Sequence, residues 1–154
     1  ALPGMPPVLD PHDVYSETRV GKLSSIVQGF PSRVYVPNSG SNTVDVIDPQ
    51  TYKIIDHFPV GRLPQHVTPS YDLRKLWVLN DLGNTLTRID PATGRKGDTV
   101  PVVDPYNMYY TPDGKHAYLC CHDDAAVFEF ELATGRVTRE FATAAGCEFI
   151  VAYH

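Results

Sequence analysis

The chain has 154 residues, 13 Lys and Arg against 18 Asp and Glu, and a formal net charge of −5. That is enough length for one compact domain, and it lacks the basic stripe that neutralises phosphates, which argues against a nucleic-acid partner. No apolar run is long enough to span a bilayer as a helix, and three cysteines, an odd number, cannot all pair within the chain.

Residues 1–31 are rich in proline, with Pro3, Pro6, Pro7, Pro11 and Pro31, and are expected to form an arm against the face or rim of the domain that follows. No charged leader followed by an apolar core opens the chain, and Ala1 would suit the residue left after a leader is removed. Leu23–Gln28 is the one helix candidate, too short to be stable without packing.

From residue 33 onward the sequence repeats. RVYVPNSGSNTVDVIDPQT (33–51) returns as KLWVLNDLGNTLTRIDPAT (75–93), with Val36/Val78, Asn38/Asn80, Asn42/Asn84, Thr43/Thr85, Asp48/Asp90, Pro49/Pro91 and Thr51/Thr93 in register. A shift of 41 then aligns LPQHVTPSYDLRKLWVL (63–79) with DPYNMYYTPDGKHAYLC (104–120), and TRIDPATGR (87–95) with FEFELATGR (128–136). A period of about 40 residues marks one supersecondary unit copied in tandem. Short apolar runs separated by turn residues predict antiparallel strands. They fall at 65–70, 74–80, 85–90 and 97–103, then at 106–111, 116–121, 126–131 and 136–141. A three-strand unit at 33–60 precedes them, and a last apolar run, Cys147–Tyr153, follows. The breaks suit turns: Asp48-Pro49 and Asp90-Pro91 pair a turn initiator with a fixed φ, and Thr93-Gly94 and Thr134-Gly135 tolerate positive φ.

The strings TPDGKHAYL, RVYVPNSGSNTVDVIDPQT and GRLPQHVTPSYD resemble the YVTN-type β-propeller repeat, over about residues 32–141. The resemblance implies an all-β fold of four-stranded antiparallel blades. Residues 1–31 would form the arm and 32–154 a partial propeller of about three blades, built from units 33–60, 64–103 and 105–141 and a final strand 147–153. Known propellers have about four to eight blades. The ring is therefore either partial or completed by another chain, as when two chains make six blades, and the apolar run Cys147–Tyr153 should be paired, because an exposed edge strand invites association. Most such propellers are exported, so the resemblance also implies an extracytoplasmic location, whether periplasmic, secreted or at the cell surface. Members of the family include haem-containing reductases as well as binding scaffolds.

On this fold His66, Asn107 and Glu148 take the same repeat position, 41 residues apart, on the strand that lies innermost. Val67, Met108 and Phe149 beside them suit the packing between blades, and period-2 alternation turns the polar trio toward the channel or its mouth. His66 would be the ligand or base, Glu148 its charged partner and Asn107 a neutral hydrogen-bonding member; alternatively the three line a water-filled channel. A second candidate is Cys120 with His122, on one face of a strand with His116 and Tyr118. Joined by His154 or Cys147, they could hold copper(I) or zinc, or they are a small core residue and a polar turn. Asn42 and Asn84 are expected to close turns by bonding their own backbone, Tyr35 and Trp77 to fill equivalent positions between blades, and Asp72 and Asp113 to accept turn N–H bonds.

No G-x-S-x-G, phosphate-binding glycine loop or C-x-x-C-H haem attachment motif occurs. The reading that follows is an exported, non-catalytic propeller that presents its channel mouth or loops to a protein or small ligand, and that self-associates or joins a missing part of the ring. Its alternative is a redox or metal-handling propeller that binds haem or copper through the channel His and Glu or through the Cys-His strand.

Overall fold

The computed structural model describes residues 9–13, 15–121 and 125–143. Eleven strands follow in chain order: β1 Val34–Asn38, β2 Thr43–Asp48, β3 Lys53–Pro59, β4 Pro64–Pro69, β5 Leu76–Asn80, β6 Thr85–Ile89, β7 Lys96–Pro101, β8 Asn107–Tyr110, β9 His116–Cys121, β10 Ala126–Glu131 and β11 Arg136–Ala142. They form three antiparallel meanders: a three-stranded sheet of β1–β3 and four-stranded sheets of β4–β7 and β8–β11, each in sequence order. The strands expected between residues 33 and 141 all appear, with ends shifted by a residue or two. The architecture is an arc of about three propeller blades. The expected final strand, Cys147–Tyr153, lies outside the described residues.

Alternation gives each sheet a front and a back. On the first sheet's front, Tyr35, Val44, Val46 and Phe58 pack against Val67, Leu76, Val78 and Ile89 on the back of the second. On the second sheet's front, Trp77, Leu79, Leu86 and Val100 pack against Met108, Ala117, Leu119 and Phe130 on the back of the third. Tyr35 and Trp77 thus fill equivalent places between sheets. Burying each such side chain stabilises the junction by about 1.5–3 kcal/mol, so the fold is held by two successive cores.

The turns repeat as closely as the strands. Asn42, Asn84 and Ala125 all adopt left-handed φ, at 59°, 49° and 47°, and their carbonyls accept from Val60, Val102 and Thr143 N–H at 2.9, 3.1 and 2.7 Å. The two asparagine side chains do not bond their own backbone as expected. Asn42 Oδ1 accepts from Leu63 N–H (2.9 Å) and Asn84 Oδ1 from Asp104 N–H (2.8 Å), so each ties its turn to the chain entering the next sheet. At the other end of the sheets, Asp48 accepts from Gln50 N–H and Thr51 Oγ1 (2.8 and 2.9 Å), and Asp90 from Ala92 N–H and Thr93 Oγ1 (both 2.9 Å).

The helix candidate Leu23–Gln28 is not helical; residues 25–29 form turns. Six residues without an apolar surface to pack on cannot offset the cost of helix nucleation. Leu9, Tyr15, Val20 and Leu23 are exposed, so residues 9–31 do not bury these side chains against a propeller face. Among the described residues no helix is long and apolar enough to cross a membrane.

Candidate ligand-binding site

His66 lies on β4, beside a bulge between Pro64 and His66 in the pairing with β5. Asn107 opens β8 opposite Cys120. Val67 and Met108, adjacent to them in sequence, pack into the two cores, so alternation turns His66 and Asn107 to the other face. The His66 ring is half-buried and meets the edge of Tyr106, with centroids 5.3 Å apart and planes at 86°. Burial disfavours the imidazolium and holds the His66 pKa below the ordinary histidine value. The ring is therefore neutral at physiological pH and keeps one nitrogen lone pair.

Asn107 is occupied locally. Its Nδ2 donates to Tyr109 Oη (3.0 Å) and its Oδ1 accepts from Met108 N–H (2.9 Å). The two sequence candidates thus sit on neighbouring strands, β4 and β8, and are linked through Tyr106, the residue before Asn107. Glu148, the third member, lies outside the described residues, as do His122, Cys147 and His154.

The Cys120 position differs from the expectation of a metal ligand in one chemical respect. Cys120 is fully buried and disulfide-bonded, and a disulfide sulfur offers no thiolate to a metal. Cys121 is a buried thiol that donates to the Val103 carbonyl (3.6 Å). Among the described residues no group of three or more His, Cys, Asp and Glu side chains could hold a metal ion.

Two further clusters carry no repeat signature. Between the second and third sheets runs a groove lined by Ser70, Tyr71, Asp72, Lys75, Trp77 and Tyr110. Tyr71 spans it: its hydroxyl donates to the Pro112 carbonyl (2.8 Å), and its ring lies on Gly114, where an added Cβ would come within 2.2 Å. Tyr71 and Tyr110 meet edge to face at 6.1 Å, and the Lys75 ammonium sits 5.9 Å from the Trp77 ring centroid. The Tyr110 hydroxyl is buried without a hydrogen-bond partner, and burial, aided by the charge of Asp72, pushes its pKa upward. The only sequence cue is a break in the repeat, because Tyr71 aligns with Pro112 rather than with another tyrosine.

The second cluster is on the back of the first sheet. Asp45 accepts from Asn38 Nδ2 (3.0 Å) and pairs with His57 Nδ1 (2.5 Å), and these bonds, that from His57 foremost, hold its carboxyl below the usual range. The same register in the second sheet holds Asn80, Thr87 and Thr99, with Asn80 Nδ2 donating to Thr87 Oγ1 (2.9 Å) and Thr87 and Thr99 hydroxyls 3.3 Å apart. The exchange of two threonines for Asp and His is visible in the aligned repeats, but their meeting depends on a pairing register that the strings alone do not print.

Residues 3–127 match the model of the YNCE-like beta-propeller family. No curated protein matches the chain. Among solved structures, hydrazine synthase of Kuenenia stuttgartiensis is 22% identical with a TM-score of 0.60, over 75% of this chain and 34% of that one. Dihydro-heme d1 dehydrogenase NirN in complex with DHE is 16% identical with a TM-score of 0.56, over 76% and 26%. A 6-phosphogluconolactonase candidate from Bacteroides uniformis is 17% identical with a TM-score of 0.56, over 75% and 38%. At these identities the likeness is one of fold, and the chain spans between about a quarter and two fifths of the length of these structures.

Proposed function

Since the chain belongs to the YNCE-like β-propeller family, we propose that it is an exported, non-catalytic binding propeller whose inner strands present His66 and Asn107, with Glu148, to a small ligand or a protein segment. The observation that carries this reading is the setting of His66. A neutral, half-buried imidazole against an aromatic edge, on an inner strand next to the equivalent strand of the following sheet, is suited to accept or donate one directed hydrogen bond. Asn107 has its amide committed to Tyr109 and Met108 and contributes shape and polarity. Export is supported by the disulfide at Cys120, a bond that persists in oxidising compartments. Native mass spectrometry of the purified protein identifies any copurifying ligand, and calorimetry then compares the parent with His66→Ala. A fall in affinity of tenfold or more is expected. Unchanged affinity and stoichiometry would remove His66 from the site.

The neutral state of His66 also supports a second reading, in which the imidazole ligates haem iron or copper. NirN, one of the similar folds, is a dihydro-heme d1 dehydrogenase. His66 fits such a role as a single ligand; disulfide-bonded Cys120 does not. A Soret band or stoichiometric copper in the protein as isolated, lost in His66→Ala, would favour this reading over the first.

A further inference from the structure

The junction between the second and third sheets holds open space as well as a core. Three adjoining hollows of about 420, 250 and 260 Å³ lie along it, and the Tyr110 side chain lines all three. Pro69, Leu73 and Met108 wall the first, and Trp77, Leu86, Val100 and Phe130 wall the last. A cavity of about 150 Å³ holds benzene, so each hollow has room for an aromatic ring. Tyr71, held by the Pro112 carbonyl, fixes one side of the cleft.

Two groups in this cleft lack partners. Thr68 lies opposite Trp77 in the pairing of β4 with β5 and shares its face, and Tyr110 comes two residues after Met108 on the same face of β8. Both line the largest hollow, and the hydroxyl of each is buried without a hydrogen-bond partner. Native proteins seldom leave buried polar groups in that state. The charged groups around the cleft are, in contrast, engaged. Asp72 accepts from Ser70 Oγ (2.6 Å) and Arg74 N–H (3.1 Å), Glu131 accepts from Thr134 Oγ1 (2.6 Å), and the Lys75 ammonium lies over the Trp77 ring.

We infer that this cleft is a second binding site, whose ligand is a flat, uncharged aromatic molecule with one carbonyl or hydroxyl oxygen: the ring lies among the apolar walls and the oxygen accepts the Tyr110 O–H, with the Thr68 hydroxyl beside it. A ring suits the cleft because Tyr71, Trp77 and Tyr110 offer edges and faces for aromatic contact. A charged ligand does not, because the apolar walls would strip its water while every counter-charge nearby is already engaged. Neither His66 nor Asn107 lines the cleft, so the inference goes beyond the binding function proposed above, and its test does not read His66.

Trp77 is the only tryptophan of the chain, so its indole N–H signal in the NMR spectrum of the full chain reports directly on occupancy. Titration with acetophenone is expected to shift that signal saturably, with an affinity about fivefold above that of ethylbenzene, which lacks the oxygen and therefore one net hydrogen bond. Benzoate and benzylammonium are expected to bind more weakly than either. Tyr110→Phe removes only the partnerless hydroxyl, so it is expected to melt no lower than the parent, to bring acetophenone down to the affinity of ethylbenzene and to leave ethylbenzene unchanged. No saturable shift with acetophenone, equal affinities for the two neutral probes in the parent, tighter binding of a charged probe, or an acetophenone preference that survives Tyr110→Phe would overturn the inference. If that variant does not fold, nuclear Overhauser contacts in the parent decide: contacts from acetophenone to Trp77 and Met108 support the site, and their absence overturns it.

Discussion

Asn84 shows how a single residue carries both a turn and a connection. Its left-handed φ is one that asparagine tolerates better than other side-chain-bearing residues, and its side chain holds Asp104 N–H as the chain enters the third sheet. Asn84→Ala should therefore lose about 1–3 kcal/mol, the cost of leaving a buried donor unsatisfied, measured by urea unfolding. Ala125 occupies the same conformation without such a side chain, so Ala125→Asn should be neutral or stabilising. Gly114→Ala should destabilise strongly, because φ is +67° and Tyr71 fills the space a Cβ needs.

Acidity acts at the same scale. Asp48, Asp72, Asp90 and Asp113 all have carboxyls held below the ordinary value, Asp48 chiefly by the Gln50 backbone N–H and Asp90 chiefly by the Thr93 hydroxyl, while Ser70 and Thr111 do the same for Asp72 and Asp113. A depressed carboxyl contributes stability above its unfolded pKa and loses it as pH falls through the folded one. His66 has the same sign for a different reason: its folded pKa is lowered by burial, so its contribution is full above the unfolded histidine value of about 6.5 and declines as pH falls below it. Thermal melts should show a first decline below neutrality, reduced in His66→Gln, and a second in the carboxylate range.

At the scale of elements, the strands were legible because alternation, β-branched residues and turn chemistry agreed in successive copies. The bulges were not. The pairing slips between Val46 and Ile47, between Thr87 and Ile89, and between Glu129 and Phe130, which is the same repeat register each time. Each slip sets one additional residue in the outer strand, as Ile55 is in β3, and an extra residue of this kind bends the strand and raises its twist. Deleting Ile55 would remove the bulge and leave Lys53, Ile54, Asp56, His57 and Phe58 opposite their present partners on β2 with alternation unbroken, so the strand loses its local bend and added twist and keeps its register. The deletion is therefore expected to lower the midpoint of denaturant unfolding while the transition stays cooperative, against little change on Ile55→Thr at this exposed position. The outer strand β11 is exposed along its whole length, so its amides should exchange well before those of β5 and β9.

For the whole molecule, the blade arc was readable from the 41- to 42-residue repeat, and so were the positions of Tyr35, Trp77, Val67 and Met108 between sheets. Of the candidate site, the shared position of His66 and Asn107 on adjacent inner strands was readable for the same reason. What a repeat cannot reveal is whatever differs between copies: the Tyr71 strap over Gly114, the Tyr106 ring against His66, and the Asp45–His57 pair all come from side chains that occur once. The disulfide at Cys120 escaped because bonding is set by where strands meet in space.

The central claim, that a neutral His66 sits on an inner strand against the neighbouring sheet, is tested most directly by histidine-ring NMR. The account predicts that the His66 imidazole titrates below about 6.5 and that its ring protons show nuclear Overhauser contacts to Tyr106. An imidazole that titrates at or above that value, with no contact to Tyr106, would contradict it.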